Sequence, residues 1–550
     1  MNFKKSFFVS LVVISLFSFN LLPQASEEER KFLEEFDNDT FDENLYNATR
    51  VASTPEEETL EYLQIVADFI AEPLYKKSNE LNSRFVTDLP HLRTFPLFKY
   101  GGAISMNFFY NKTNNIFLTE SSPYISSYLN LEISEPKKDL GVIFDSIDSI
   151  NYDSGLFEKD LTRVLPLVAA TKVEERRAGF MIQGLKKLEN INLGFKVPLY
   201  YTERNYYFTD AELERLEAEP LFRRKKTRAY NTNIESEEKN VSNFQYQHFV
   251  SDKIGFGDAR IMLGYQIKDG EPFKWTVGAE LTLPTAFLLS KGVIGKTFLP
   301  EHYEQEQCTI ITENLVDYLS ATSGSIEEDN AASKLGDDVQ TFSFNAIDRL
   351  ASMLLESPLG NNNHVELCLY SQFQFECDYD IILHNNTSIS YIFPKRRKRF
   401  FVLSQNQDNF PAYDDGRTAS QTKEYLKYYE NHIVQKFFPE PLKTTVWPGI
   451  KLNSTSTLEY KKNIWSFCCG VDFWLQTKER LSNIEAPKVM LPRIDAETAK
   501  RPFGFQAKLL GAIKREVKEC SWWKISADIT CANSGIGKDY SLMLEYGVNL

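Results

Sequence analysis

Between residues 259 and 283 hydrophobic and polar positions alternate. Ala259, Ile261, Leu263, Tyr265 and Ile267 take every second position, with Arg260, Met262, Gly264 and Gln266 between them. Phe273, Trp275, Val277, Ala279, Leu281 and Leu283 then alternate with Lys274, Thr276, Gly278, Glu280 and Thr282. Successive side chains of a strand point to opposite faces, so a period of two predicts two strands, each apolar on one face and polar on the other. Lys268-Asp269-Gly270-Glu271 lies between them, and its Asp-Gly pair suits the type I′ turn of a tight hairpin.

The same period recurs at 104–111, 129–133, 191–201, 386–393, 446–460, 464–476, 503–514, 521–532 and 540–550, and more weakly near 142–150, 176–185 and 365–375. About 12 strands result, with even numbers from 10 to 14 compatible with the pattern. In the last stretch Tyr540, Leu542, Leu544, Tyr546, Val548 and Leu550 share one face. A long apolar edge strand invites aggregation unless paired, and closing the sheet into a barrel pairs it. Strands of about 9–11 residues, apolar outward and polar inward, fit a membrane crossing.

The charges within these stretches fall on the polar face: Lys196, Arg260, Lys274, Glu280, Asp472, Lys508, Lys524, Asp528 and Glu545. A charge on the lipid side near mid-membrane would cost about 2–4 kcal/mol, so the segregation suits a barrel with these nine residues lining its lumen. A soluble sandwich with wet charged faces gives the same alternation. Pro198 sits on a polar face, where it marks a bulge or weakens the strand's centre.

Helical spacing appears at about 55–72, 307–322, 341–356 and 419–437, with a short helix at 210–219. Lys4-Lys5, the apolar run from Phe7 to Leu22 and the small residues before Glu27 have the layout of a secretory signal peptide. No later apolar run reaches the roughly 18 residues of a membrane helix. The expected organisation is a signal peptide at 1–25, an acidic, partly helical extension at 26–95 that plugs the lumen or sits in the periplasm, and a barrel at 96–550. Loop insertions are expected at about 203–250, 285–365 and 405–440.

Composition narrows the reading further. Apolar content of 42% looks soluble, but only alternate strand residues face lipid in a barrel. The 41 Phe and 27 Tyr suit aromatic girdles at two membrane interfaces. A net charge of −14 argues against nucleic acid as a partner. Two basic runs stand out, Arg223-Arg224-Lys225-Lys226 and Lys395-Arg396-Arg397-Lys398-Arg399. Each reads as a solvated loop, or as a contact for lipopolysaccharide phosphates.

Cys368 with Cys377 and Cys520 with Cys531 are candidate disulfides across neighbouring strands, against the alternative of buried or lipid-facing thiols. No C-x-x-C, G-x-S-x-G or H-E-x-x-H motif occurs, so no catalytic residue, metal or cofactor is assigned. Gly535-Ile536-Gly537-Lys538 has half the pattern of a phosphate loop, but Asp539 replaces its Ser or Thr, leaving a turn.

Tyr546-Gly547-Val548-Asn549-Leu550 resembles the C-terminal signal of Gram-negative outer-membrane β-barrels, with Leu550 in place of the more usual Phe or Trp. Gly255-Phe256-Gly257-Asp258-Ala259-Arg260 before Leu263-Gly264-Tyr265 looks like a turn-and-strand pattern of channels for hydrophobic compounds. The resemblance implies an all-β, antiparallel transmembrane barrel in the outer membrane. Its implied partners are outer-membrane lipid, the barrel assembly machinery and small solutes. The expected function is non-enzymatic passage of solutes, as a porin or selective transporter. The alternatives are a non-channel barrel for surface structure or adhesion, and a soluble secreted β-rich binding protein.

Overall fold

The computed structural model describes residues 83–93, 101–116, 172–207, 250–291 except 271, 357–403 except 378–379, 441–550 except 489–490 and 519, and scattered positions between 310 and 355. All lie in the second of two compact units, Tyr62–Leu550. The signal-peptide reading, the helix at 55–72, the alternating stretches at 129–133 and 142–150 and the Arg223–Lys226 run fall outside the described residues, as do most of the expected loop helices.

The strands in chain order are β1 (Gly102–Ile116), β2 (Lys172–Leu188), β3 (Ile191–Tyr207), β4 (Val250–Phe256), β5 (Ala259–Gly270), β6 (Phe273–Leu283), β7 (Phe287–Lys291), β8 (Glu366–Cys377) and β9 (Ile381–Ile392). They continue with β10 (Lys395–Phe400), β11 (Val402–Leu403), β12 (Pro441–Trp447), β13 (Ile450–Lys462), β14 (Trp465–Gln476), β15 (Arg480–Ser482), β16 (Ile494–Asp495), β17 (Gly504–Lys518), β18 (Ser521–Ser534) and β19 (Lys538–Asn549).

Twelve of them close an antiparallel barrel: β1, β2, β3, β5, β6, β8, β9, β13, β14, β17, β18 and β19. The first and last strands meet at the seam, with Phe108 opposite Leu544. Closure pairs each of these twelve strands on both sides, as a hydrocarbon surround requires.

The barrel is apolar outside and polar inside. Leu263, Tyr265, Leu369, Ile525 and Leu542 are each more than half exposed, whereas Lys196, Lys451, Asp472 and Lys508 on the inward faces are fully buried. A soluble sandwich would bury the first set and wet the second, so that alternative is excluded by the fold.

The two ends of the barrel differ. At one end β2–β3, β8–β9, β13–β14 and β17–β18 are joined by connections of two or three residues. Asp380 and Asn463 take positive φ there (58° and 57°), which short polar side chains tolerate. At the other end β18 and β19 are joined by the three residues 535–537, but the remaining strands are separated by longer segments, among them 117–171, 208–249, 292–365 and 404–440.

The structure shifts several elements. Pairing of β5 with β6 runs through Asp269↔Lys274 to Gly270↔Phe273, so the Asp-Gly pair lies inside the strand and not in a turn. A bulge between Gln266 and Lys268 supplies the extra residue. The basic run Lys395–Arg399, expected as a solvated loop, is strand β10. It joins β12 and β15 in a three-stranded sheet that prolongs β9, β13 and β14 beyond the barrel.

Pro198 marks the clearest irregularity. β3 pairs with β5 through Lys196 and with β4 from Leu199, while its pairing with β2 continues unbroken. Proline has no N–H to offer the neighbouring strand, and that strand breaks beside it at Gly257-Asp258. The next strand breaks too, between β6 and β7. Gly257 donates its N–H to the Pro198 carbonyl at 2.9 Å. A Cβ at Gly257 would meet Pro198 Cγ at 2.8 Å and the Leu359 carbonyl at 3.0 Å, so glycine is required by close approach. Asp258 stitches the break, its Oδ1 accepting from the Ala286 N–H at 3.0 Å and its Oδ2 from the Asn361 N–H.

Candidate lumen site

Ser83 to Arg93 lies inside the barrel. A 3-10 turn, Val86–Asp88, and a single helical turn, Pro90–Arg93, make it compact. Its apolar side chains Val86, Leu89 and Leu92 pack in one cluster with Phe109, Met181, Tyr200, Leu359 and Met543 from the barrel and from the segment before β8. Val, Leu and Leu at three-residue spacing place these groups on one side of the turns.

Its charged side chains are fastened to the wall. Asp88 accepts from Arg260 Nη2 at 2.8 Å and from Lys451 Nζ at 2.9 Å. Arg84 and Arg93 both bind Asp472, at 2.6 and 2.8 Å. Arg93 also donates to Thr455 Oγ1, and Arg84 to Gln506 Oε1 at 3.2 Å. The wall reaches back to the segment's backbone: Lys196 donates to the Arg93 carbonyl and Arg177 to the Arg84 carbonyl. Arg177 and Arg204 both donate to Ser83 Oγ, at 2.9 and 3.1 Å.

The wall cations keep partners of their own. Arg260 donates to Glu280 at 2.8 Å and Lys451 to Glu366 at 2.8 Å, while Glu175 holds Arg177 at 2.6 Å and Arg204 at 3.3 Å. Lys508 bridges Asp528 at 2.8 Å and Asp539 at 2.6 Å. Two charges taken out of water need such alternating partners to offset their desolvation.

The nine charges read from the sequence all occupy inward faces, at two levels. Lys196, Arg260, Glu280, Asp472, Lys508 and Asp528 are buried at the level of Ser83–Arg93. Lys274 and Lys524 sit nearer the short-turn end, where Lys274 pairs with Glu376 at 3.3 Å and Lys524 with Glu545 at 3.6 Å. Side chains there are partly accessible: Lys274 is 36% exposed and His384, paired with Glu459 at 2.8 Å, is 27% exposed.

A cavity of about 20 Å³ adjoins the segment, bordered among others by Asp88, Arg93, Tyr370, Asn386, Ser388 and Asn453. It is about the size of a water or two, and Tyr370 Oη, Asn386 Oδ1, Ser388 Oγ and Asn453 Oδ1 have no partner among the described residues.

Residues that the alternation along the sequence does not single out carry much of this site: Arg84, Asp88, Arg93, Glu175, Arg177, Arg204, Glu366 and Lys451. Lys451 and Arg177 had a signal, since each is a charge within an alternating stretch, and Glu175 directly precedes one. Arg84, Asp88 and Arg93 had a fainter one, three charges threaded through apolar residues after an acidic tract.

Neither candidate disulfide, Cys368 with Cys377 or Cys520 with Cys531, forms. Cys368 and Cys377 stand nine residues apart on the single strand β8, and Cys531 lies ten residues into β18 from its start just after Cys520. At about 3.3 Å per residue each pair is separated by roughly 30 Å or more, far beyond the roughly 7 Å limit of a bridge. All six described cysteines are free thiols. Among the described residues no cluster of His, Cys, Asp and Glu is arranged to hold a metal.

The fold and this interior define a closed transmembrane β-barrel with an internally fastened segment. Solved structures of similar outline belong to that class. An outer membrane channel from Pseudomonas putida F1 covers 82% of this chain and 96% of its own, at 8% identity and a TM-score of 0.37. The toluene transporter TodX from Pseudomonas putida covers 87% and 98%, at 8% identity and a TM-score of 0.29. The translocator domain of the autotransporter NalP from Neisseria meningitidis covers 82% and 90%, at 5% identity and a TM-score of 0.30. Likenesses this distant carry nothing about solute or mechanism. No protein-family model matches the chain, and no curated protein matches it.

Proposed function

We propose that this protein is an outer-membrane channel for small polar solutes, closed in the described state by Ser83–Arg93 and opened when that segment leaves its seat. The single observation that supports it most is the ionic fastening: Asp88 on Arg260 and Lys451, and Arg84 with Arg93 on Asp472. A lumen meant to stay filled is more cheaply packed with apolar side chains, because buried ion pairs pay a desolvation cost that such packing avoids. Charges that both the segment and water can satisfy suit a seat that is vacated and refilled. The lining carries both signs, so it favours polar solutes over apolar ones. In this reading the short turns face the periplasm and the long connections face outward, the usual arrangement of bacterial barrels.

The test is conductance in planar bilayers of the full chain and of a variant lacking residues 26–95. The reading expects the deletion to raise conductance. An unchanged, non-conducting barrel that still shows a heat-dependent gel shift would refute it and leave the non-channel barrel, serving surface structure or adhesion, as the better account.

A further inference from the structure

The sheet formed by β10, β12 and β15 prolongs the barrel wall past the ends of β9, β13 and β14. Its two faces differ. On the inner face Arg399 is buried against Glu479 at 3.3 Å, with Arg501 on the same carboxylate at 3.5 Å. Thr444 and Val446, on the same inner face of β12, are also buried. Strand alternation then places Arg396 and Lys398 of β10, Lys443, Thr445 and Trp447 of β12, and Arg480 and Ser482 of β15 on the outer face. The four cations there are all exposed.

Three observations single this face out. Lys398 stands directly opposite Lys443 in the ladder, a like-charge pair that costs stability unless an anion lies between. Among the described residues only Arg396 of the four is paired with a carboxylate, Glu485 at 2.9 Å, and both partners of that pair are solvent-exposed. The face also continues the lipid-facing belt. Exposed Trp447 lies on the sheet itself, and exposed Tyr391, Phe393 and Ile450 lie just below it, where aromatic side chains mark a membrane interface. A chain of net charge −14 thus gathers three cations with no carboxylate partner among the described residues, Lys398, Lys443 and Arg480, and the hydroxyls of Thr445 and Ser482 beside this aromatic belt.

We infer that this outer face binds the phosphate groups of a phosphorylated lipid headgroup in the leaflet on the long-connection side. Clustered cations attract anionic headgroups, and Arg396 with Arg480 offers planar guanidinium forks suited to phosphate. The structure also decides which part of the basic run takes part. Arg396 and Lys398 face outward, whereas Arg397 and Arg399 turn inward toward Glu479.

The experiment is binding of lipid A carrying two phosphates to the full-length protein in mixed detergent micelles, with dephosphorylated lipid A and inorganic phosphate as comparison probes. Tight binding of the phosphorylated lipid is expected, with at least tenfold weaker binding of the dephosphorylated form and no displacement by equimolar inorganic phosphate. The K398E/K443E variant should lose at least tenfold in affinity. The neutral K398Q/K443Q variant should lose severalfold, and K186E, an exposed position at the short-turn end, should bind as wild type. Raising the salt from 50 to 500 mM should weaken wild-type binding. Should K398E/K443E fail to give a heat-dependent gel shift, the neutral pair carries the test. Equal affinity for both lipid forms, equal affinity of the neutral variant and wild type, or displacement by free phosphate would overturn the inference. None of these outcomes depends on whether the barrel conducts.

Discussion

Asp88 is the residue whose replacement most directly tests whether Ser83–Arg93 is a gate. Its two carboxylate oxygens engage Arg260 and Lys451, both buried. In Asp88→Asn the amide keeps the shape but loses the charge. Breaking a buried pair usually costs about 3–5 kcal/mol, because it strands an uncompensated charge. Here the stranded charges are fewer: Arg260 keeps Glu280 and Lys451 keeps Glu366, each at 2.8 Å. The low end, about 3 kcal/mol, is therefore the better figure. At about 1.4 kcal/mol per tenfold, that shifts the ratio of released to seated segment by roughly a hundredfold.

The barrel should tolerate the change, since every strand ladder and both wall pairs survive. Single-channel recording in planar bilayers is the assay. Asp88→Asn should multiply the open fraction by about two orders of magnitude while leaving the conductance of each opening unchanged, because the lumen wall is unaltered. Asp472→Asn, which deprives both Arg84 and Arg93 of their carboxylate, should act in the same direction and more strongly. A correctly folded Asp88→Asn barrel with the wild-type open fraction would refute the reasoning: the ionic seat would then not be what closes the lumen.

Other outcomes follow from the same geometry. Lys508→Met leaves Asp528 and Asp539 buried together without their cation, and should lower stability in detergent by about 3–5 kcal/mol, read as an earlier urea midpoint. Asp258→Ala leaves the Ala286 and Asn361 N–H groups without their acceptor at the break in the wall, costing about 1–3 kcal/mol for each group. It should accelerate hydrogen exchange there before it does at the β1–β19 seam. Glu479, at the rim, would be raised by burial alone, but Arg399 and Arg501 hold its carboxyl below the ordinary glutamate value. A depressed folded value means its stabilisation is full at neutral pH and is lost as pH falls through that lower value. Urea midpoints should therefore drop on acidification more steeply in wild type than in Glu479→Gln, and parallel curves would show that the rim pair contributes nothing.

The barrel was legible because lipid and lumen impose opposite demands on neighbouring residues. Leu263 and Gly264, or Ile525 and Ser526, could not exchange places without putting an apolar group into a charged lumen, and that constraint is written at every second position. Segment Ser83–Arg93 has no such period. Its place depends on Asp88 meeting Arg260 and Lys451, residues 172 and 363 positions away, and no local pattern encodes a pairing of that range. The Asp269-Gly270 turn was misplaced for a related reason: the bulge after Gln266 is a property of two paired strands, and a single strand's alternation does not reveal it. The disulfide reading failed because spacing alone does not tell two strands from one. Cys368 and Cys377 lie along β8 and not across a hairpin.

The two levels of lumen charge differ in burial. At the level of Ser83–Arg93 the wall charges are fully buried and already committed, Arg260 between Asp88 and Glu280, Lys451 between Asp88 and Glu366. On the channel reading a solute cannot compete for them while the segment is seated, so this level would set how often the lumen opens. Nearer the short turns, Lys274–Glu376 and His384–Glu459 are partly exposed pairs in contact with solvent. Water and salt weaken such pairs, so on the channel reading they can attract or repel a passing ion at little structural cost. On the channel reading, then, frequency of opening and preference among solutes reside in different residues of the same lumen, because burial makes one set of charges structural and exposure leaves the other available.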